Sequence, residues 1–150
     1  LHFESRTQLV TALFDHVNEQ EDLTSSLRGV AGSPDAETMI AEWAAHLGRF
    51  HPRIARVARA VQEARETDED AARHWRLVQD DWRRLCRRVA RRARDEGRLA
   101  QPWTLETMVD MLQALMSLDV LETLVRERGW SPEEYSEHLR RTASATFLTH

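Results

Sequence analysis

Each of the four prolines follows a glycine within five residues: Gly29 and Gly32 precede Pro34, Gly48 precedes Pro52, Gly97 precedes Pro102, and Gly129 precedes Pro132. Glycine ends helices because it tolerates the left-handed conformation just past the last turn. Proline starts them because its missing N–H is not needed there. Four such junctions divide the 150 residues into five helical blocks. Apolar residues recur at three- and four-residue steps within the blocks, and no alternating run bounded by hairpin residues interrupts them. The expected class is all-α. The length suits one domain with a real core.

Local signals sharpen the blocks. Ser5 and Gln8 have capping-box spacing before Leu9, Val10, Leu13, Phe14 and Val17, a helix that can continue through Leu23 and Leu27 to Gly29. Ser33-Pro34 is expected to cap a helix burying Met39, Ile40, Trp43, Leu47 and Phe50. Pro52 is expected to start another with Ile54, Val57, Ala58 and Val61. A break without Gly or Pro is expected near Thr67. Asp68, Glu69 and Asp70 then open a long helix that ends among arginines before Gly97, as the helix dipole favours. Thr104 caps a helix to Arg128, and Ser131-Pro-Glu-Glu134 opens the last one.

All 21 basic residues are arginine, which fits codon bias in a GC-rich genome, and the net charge of −4 argues against nucleic-acid wrapping by this chain alone. Residues 68–103 carry ten Arg against seven acids. Arg83, Arg84, Arg87, Arg88, Arg91, Arg92, Arg94 and Arg98 recur in pairs opposite Trp82, Leu85, Cys86, Val89 and Ala93. A solvated helix face is the expectation, with Asp80 pairing to Arg84 and Glu96 to Arg92. No stretch approaches the ~20 apolar residues of a membrane span. No secretion signal opens the chain, and the single Cys86 fits a reducing cytoplasm. Leu1 is not an initiator residue, so the chain is expected to begin within a longer protein.

Chemistry is sparsely signalled. Glu42 and His46 share a helix face near His51, but there is no HExxH motif and no cysteine pair, so no metal is expected. Cys86 reads as a small core residue. No triad, phosphate loop or dinucleotide fingerprint occurs, and neither an enzyme nor a cofactor is expected. The aromatic residues are more informative. Trp75, Gln79, Trp82 and Cys86 form one stripe, and a buried, unpartnered Gln79 would cost about 1–3 kcal/mol, so a neighbour or a cavity must satisfy it. Trp43, His46 and Phe50 mix aromatic and polar character in the same way. Such residues, with Met108 and Leu112, are the makings of a small-molecule pocket for an apolar or aromatic ligand.

The segment 104–128 changes face. Leu105, Met108, Val109, Leu112, Leu115 and Met116 share one side, while Leu118, Leu121, Leu124 and Val125 lie on nearly the opposite one. Two stripes imply two partners, either both inside the chain or one on a second subunit. The subunit reading is favoured by Tyr135, Leu139, Ala143 and Phe147 at four-residue steps, with small residues from Ala143 to Ala145 that admit a close helix. The dimer surface expected is therefore Leu118, Leu121, Val125, Tyr135, Leu139, Ala143 and Phe147.

Two segments resemble the TetR family of bacterial transcriptional regulators. Leu1-His-Phe-Glu-Ser-Arg6, followed by Leu9, is similar to that family's Tyr-x-His/Tyr-Phe-x-Ser/Asn-Lys-x-x-Leu junction, with Arg6 in the place of Lys. Val120 to Tyr135 and Arg94-Asp-Glu-Gly-Arg-Leu99 are similar to stretches common in actinobacterial members. The resemblance implies a TetR-like C-terminal domain of about six helices over residues 5–150. Residues 1–4 would end a helix-turn-helix region that is otherwise missing. It further implies a homodimer joined by a four-helix bundle, and a hydrophobic effector bound among the middle helices. The effector would shift the first helix so that a repressor leaves its operator. His2 and Arg6 would sit near DNA phosphates. The alternative is a helical protein–protein interaction module without a pocket.

Overall fold

Polar caps fix where the helices begin. In the computed structural model, which describes residues 6–20 and 23–150 with the side chains of 6, 7, 14 and 17–20 left out, seven α-helices follow one another. They are α1 (Arg6–Gln20), α2 (Leu23–Ala31), α3 (Ala36–Ala64), α4 (Glu69–Asp95), α5 (Leu105–Leu115), α6 (Leu118–Leu121) and α7 (Pro132–Phe147). A π-helical segment, Glu122–Glu127, continues α6. Asp68 accepts from the N–H groups of Asp70 and Ala71 at the start of α4. Thr104 with Thr107, and Ser131 with Glu134, form reciprocal capping boxes. Gly97 (φ 67°) and Gly129 (φ 75°) adopt the left-handed conformation past α4 and past the π-helical segment. The expected Ser5 cap lies outside the described residues.

Two junctions differ from expectation. The cap of α3 is Asp35, whose carboxylate accepts from Thr38 N–H, and not Ser33-Pro34. Pro52 starts no helix, because α3 runs through it for 29 residues. An internal proline removes one N–H and usually kinks or breaks a helix, but a helix held on several sides can carry the loss. Here Gly48 serves packing and not termination. A Cβ on it would stand 2.9 Å from Ser136 Cβ and 3.0 Å from the carbonyl oxygen of Pro132, so its bare backbone is what lets α7 lie against α3.

The face change in 104–128 is resolved inside the chain. The helix stops at Met116, Ser117 caps a new one by accepting from Val120 N–H, and the wider π turn follows. These breaks re-aim the second stripe, so both stripes meet the chain's own core. Leu118, Leu121, Tyr135, Leu139, Ala143 and Phe147 are each at most 4% exposed, and Val125 packs on the main core. The expected dimer surface is thereby corrected: residues already filling one chain's interior cannot also face a second copy. The small residues of α7 admit α3, where buried Ser144 donates to Glu37 Oε1 at 2.7 Å.

The core has two parts. The main cluster joins α3, α4, α5 and α7 around Trp43, Leu47, Val89, Met108, Leu112 and Tyr135. The smaller one gathers Ile54, Ala58, Val61, Trp75, Val78 and Leu118. Trp82 packs against both. Arginines tie helices together across this frame. Arg83 reaches Asp110 (2.9 Å) and Glu106 (3.4 Å), and Arg87 also binds Glu106, joining α4 to α5. Arg59 binds Asp119 and Glu122, fastening α3 to the α6–π segment. Arg92 does pair with Glu96, but Arg84 takes Asp81 one turn back and not Asp80.

Gly48→Ala is expected to destabilise the fold by about 1–3 kcal/mol, because backbone and a Cβ on α7 must move to admit it. Gly29→Ala meets only the flexible carboxylate of Glu42 and is expected to be neutral or to stabilise by up to ~1 kcal/mol. Urea unfolding of the two variants checks the contrast, and equal effects would contradict it.

Candidate functional site

On α4, Val78, Asp81, Trp82, Leu85 and Arg88 fall at steps of three and four and share a face. His46, Phe50 and Ile54 repeat every four residues on α3, and Leu23 and Leu27 do so on α2. These faces, with His51 and Arg84, enclose a cavity of about 350 Å³. That lies at the small end of the ~300–1,000 Å³ typical of ligand clefts. Helices α3 and α4 run antiparallel: Ala36 N–H, at the start of α3, donates to Glu96 at the end of α4, while Ile54 and Val78 share the smaller cluster. The cavity therefore has an Ile54–Val78 end and a His46–Arg88 end.

Its walls are aromatic. His51 stacks on Trp82 at 4.9 Å with a 30° tilt, and Trp75 meets Trp82 edge-on at 5.8 Å. His46 leans on Phe50 at 4.9 Å, and its Nδ1 shares a 2.9 Å hydrogen bond with Ser26 Oγ on α2. Ser26 Oγ also accepts from Arg49 at 2.7 Å, so a single hydroxyl links the α2 wall to α3. Burial pushes the His46 imidazole down to about 4, helped by Arg49, and the His51 imidazole down to about 3, helped by His46. Both rings are neutral at pH 7.

The pocket residues expected from the sequence divide three ways. His46, Phe50 and Trp82 line the cavity. Trp75 and Gln79 line a second one of about 240 Å³ on the far side of Trp82, with Gln62, Arg65, Gln113, Ser117 and Leu118. Trp43, Met108 and Leu112 have no exposure at all and belong to the main core, so one site holding all eight residues is corrected to two cavities and a filled interior. Gln79 finds a neighbour: Gln113 Nε2 donates to its backbone and side-chain oxygens, both at 3.2 Å. Leu23, Leu27, His51, Ile54, Val78, Asp81, Arg84, Leu85 and Arg88 also line the first cavity, beyond the residues the sequence pattern marks. Treating α3 as continuous through Pro52 would have placed Ile54 one turn beyond Phe50.

Cys86 is buried with its thiol 3.2 Å from Met116 Sδ, and burial pushes that thiol up to about 12, which removes its nucleophilicity at neutral pH. Among the described residues no group of three or more His, Cys, Asp or Glu could hold a metal ion, and no helix is long and apolar enough to cross a membrane. His2 lies outside the described residues. Arg6 begins α1, but its side chain is likewise outside them. Comparison with protein-family models and with curated proteins gave no match.

The two histidines set a pH dependence. Unfolded, both titrate near the ordinary 6.5; folded, both resist protonation. The unfolded chain therefore binds more protons below that value, and stability is lost as pH falls, by up to about 1.4 kcal/mol per pH unit for each ring. Urea unfolding between about pH 7 and 5 should show this decline, and His51→Phe should remove roughly half of the slope. An unchanged slope would contradict the assignment.

Proposed function

We propose that this chain is the effector-sensing part of a ligand-responsive transcriptional regulator of TetR type, a repressor in which a small apolar molecule occupies the α2–α3–α4 cavity. One observation carries the reading: a wall of the cavity is α2, and α2 is next in the chain after α1, the helix that the resemblance joins to a DNA-reading unit. A guest between Leu27, Phe50 and Trp82 would press α2 away from α3. The Ser26 link to His46 and Arg49 is the contact it would strain. Displaced α2 carries α1 with it. Coupling between effector and operator of ~1–3 kcal/mol is enough for such a switch.

A homodimer is part of this reading. It must form on outward faces of the helices, since Leu118, Leu121, Tyr135, Leu139, Ala143 and Phe147 are core residues. Operator contact belongs to the helix-turn-helix region that would precede the chain. Sedimentation at micromolar concentration is expected to give twice the 17.4 kDa chain mass, and a monomer would remove the dimer from the account.

Phenylnaphthylamine, a neutral aromatic dye, tests the cavity. It is expected to quench tryptophan emission, and Trp82→Phe should abolish most of that response. Trp103→Phe should keep it, because Trp103 packs edge-on against Phe147 and lines neither cavity. Quenching that survives Trp82→Phe, or no quenching at all, would contradict the proposal.

A further inference from the structure

We propose that the α2–α3–α4 cavity selects an elongated apolar acid, its anionic head held at Arg88 and its apolar end between Ile54 and Val78. This rests on the cavity being a ligand site, and it adds the chemical class of the guest.

The charge around the cavity is lopsided. Among the described residues its lining holds one carboxylate, Asp81, and two guanidinium groups, Arg84 and Arg88. Asp81 is engaged by Arg84. Arg84 and Arg92, one turn to either side of Arg88, both have carboxylate partners. The Arg88 side chain makes no ion pair or hydrogen bond with any described residue. His46 and His51 add no charge, because burial holds both rings neutral. Among the described residues the lining therefore has a surplus cation and no spare anion. A cationic guest would find no partner there, whereas an acid would find one waiting.

Charge alone is not enough. Arg88 is exposed, and an exposed ion pair changes affinity by about fivefold at most. A bare anion such as phosphate would gain too little to bind. Most of the attraction must come from burying an apolar body against Leu27, Phe50, Trp82 and Leu85. The spacing sets the shape. Val78 and Arg88 are ten residues apart on one helix, or ~15 Å along its axis. A molecule touching both ends is long, with its charge at one tip.

Phenylnaphthylamine and anilinonaphthalene sulfonate share an aromatic skeleton and differ by one sulfonate. Titrating both into the wild type, Arg88→Gln and Arg91→Gln at low ionic strength separates the contributions. Arg91 is exposed on the same helix but does not line the cavity. Arg88→Gln is expected to weaken the sulfonate about three- to fivefold and to leave the neutral dye unchanged. Arg91→Gln should change neither. If Arg88→Gln leaves the sulfonate's affinity unaltered, or Arg91→Gln weakens it equally, selection of an acid by Arg88 is overturned while the cavity stands. If neither dye binds the wild type, the cavity itself is not a ligand site, and the proposal falls with it.

Discussion

Trp82 sits where the two apolar clusters meet, and it also separates the two cavities. One face of its ring system is covered by His51 and an edge is met by Trp75, so the indole is fixed by aromatic contacts from α3 and from its own helix. Removing a side chain of that size from such a position typically costs ~3–5 kcal/mol. The indole does more than fill space. With His51 it forms an aromatic wall between α3 and α4, and Leu23 and Leu27 of α2 line the same cavity.

The opposite half of the molecule buries the main apolar cluster, although a polar cleft of about 430 Å³ lies between α3 and α7, lined by Gly48, Pro52, Pro132 and Ser136. Gly48 lets α7 approach α3, Ser144 anchors to Glu37, and Arg83 and Arg87 draw α5 onto α4. Trp43, Met108, Leu112 and Tyr135 are fully buried at the centre of this cluster. A buried apolar cluster on one side and an apolar cavity walled by the short helix α2 on the other form an arrangement in which an apolar guest acts on α2 more than on α5 or α7. The hydrogen bonds of Ser26 to His46 and Arg49 join the cavity wall of α2 to α3 through one hydroxyl, while Val30 holds the far end of α2 in the main core.

Much of this was legible in the sequence because it depends on local chemistry. Asp68, Thr104 and Ser131 cap helices for reasons contained within three or four residues, and Gly97 and Gly129 end segments by their own backbone freedom. What the sequence concealed depends on tertiary contact. Gly48 and Pro52 look like a stop and a start, but packing against α7 makes the glycine a contact point and keeps the helix whole. The stripe from Leu118 onward looks like a second interface if the helix is straight; the Ser117 break and the π turn redirect it inward. The candidate site suffered most. Periodicity places Trp75, Gln79 and Trp82 on one stripe but cannot show that Trp82 itself divides the space they line.

Hydrogen exchange of the backbone, with and without phenylnaphthylamine, reads the central claim most directly, because it reports each helix separately. A guest seated against Trp82 should alter exchange in α2 and in the Phe50–Ile54 stretch of α3, while α5 and α7 stay as they were. Changes spread evenly over all helices, or confined to α5 and α7, would contradict an account in which one hollow beside Trp82 acts on α2.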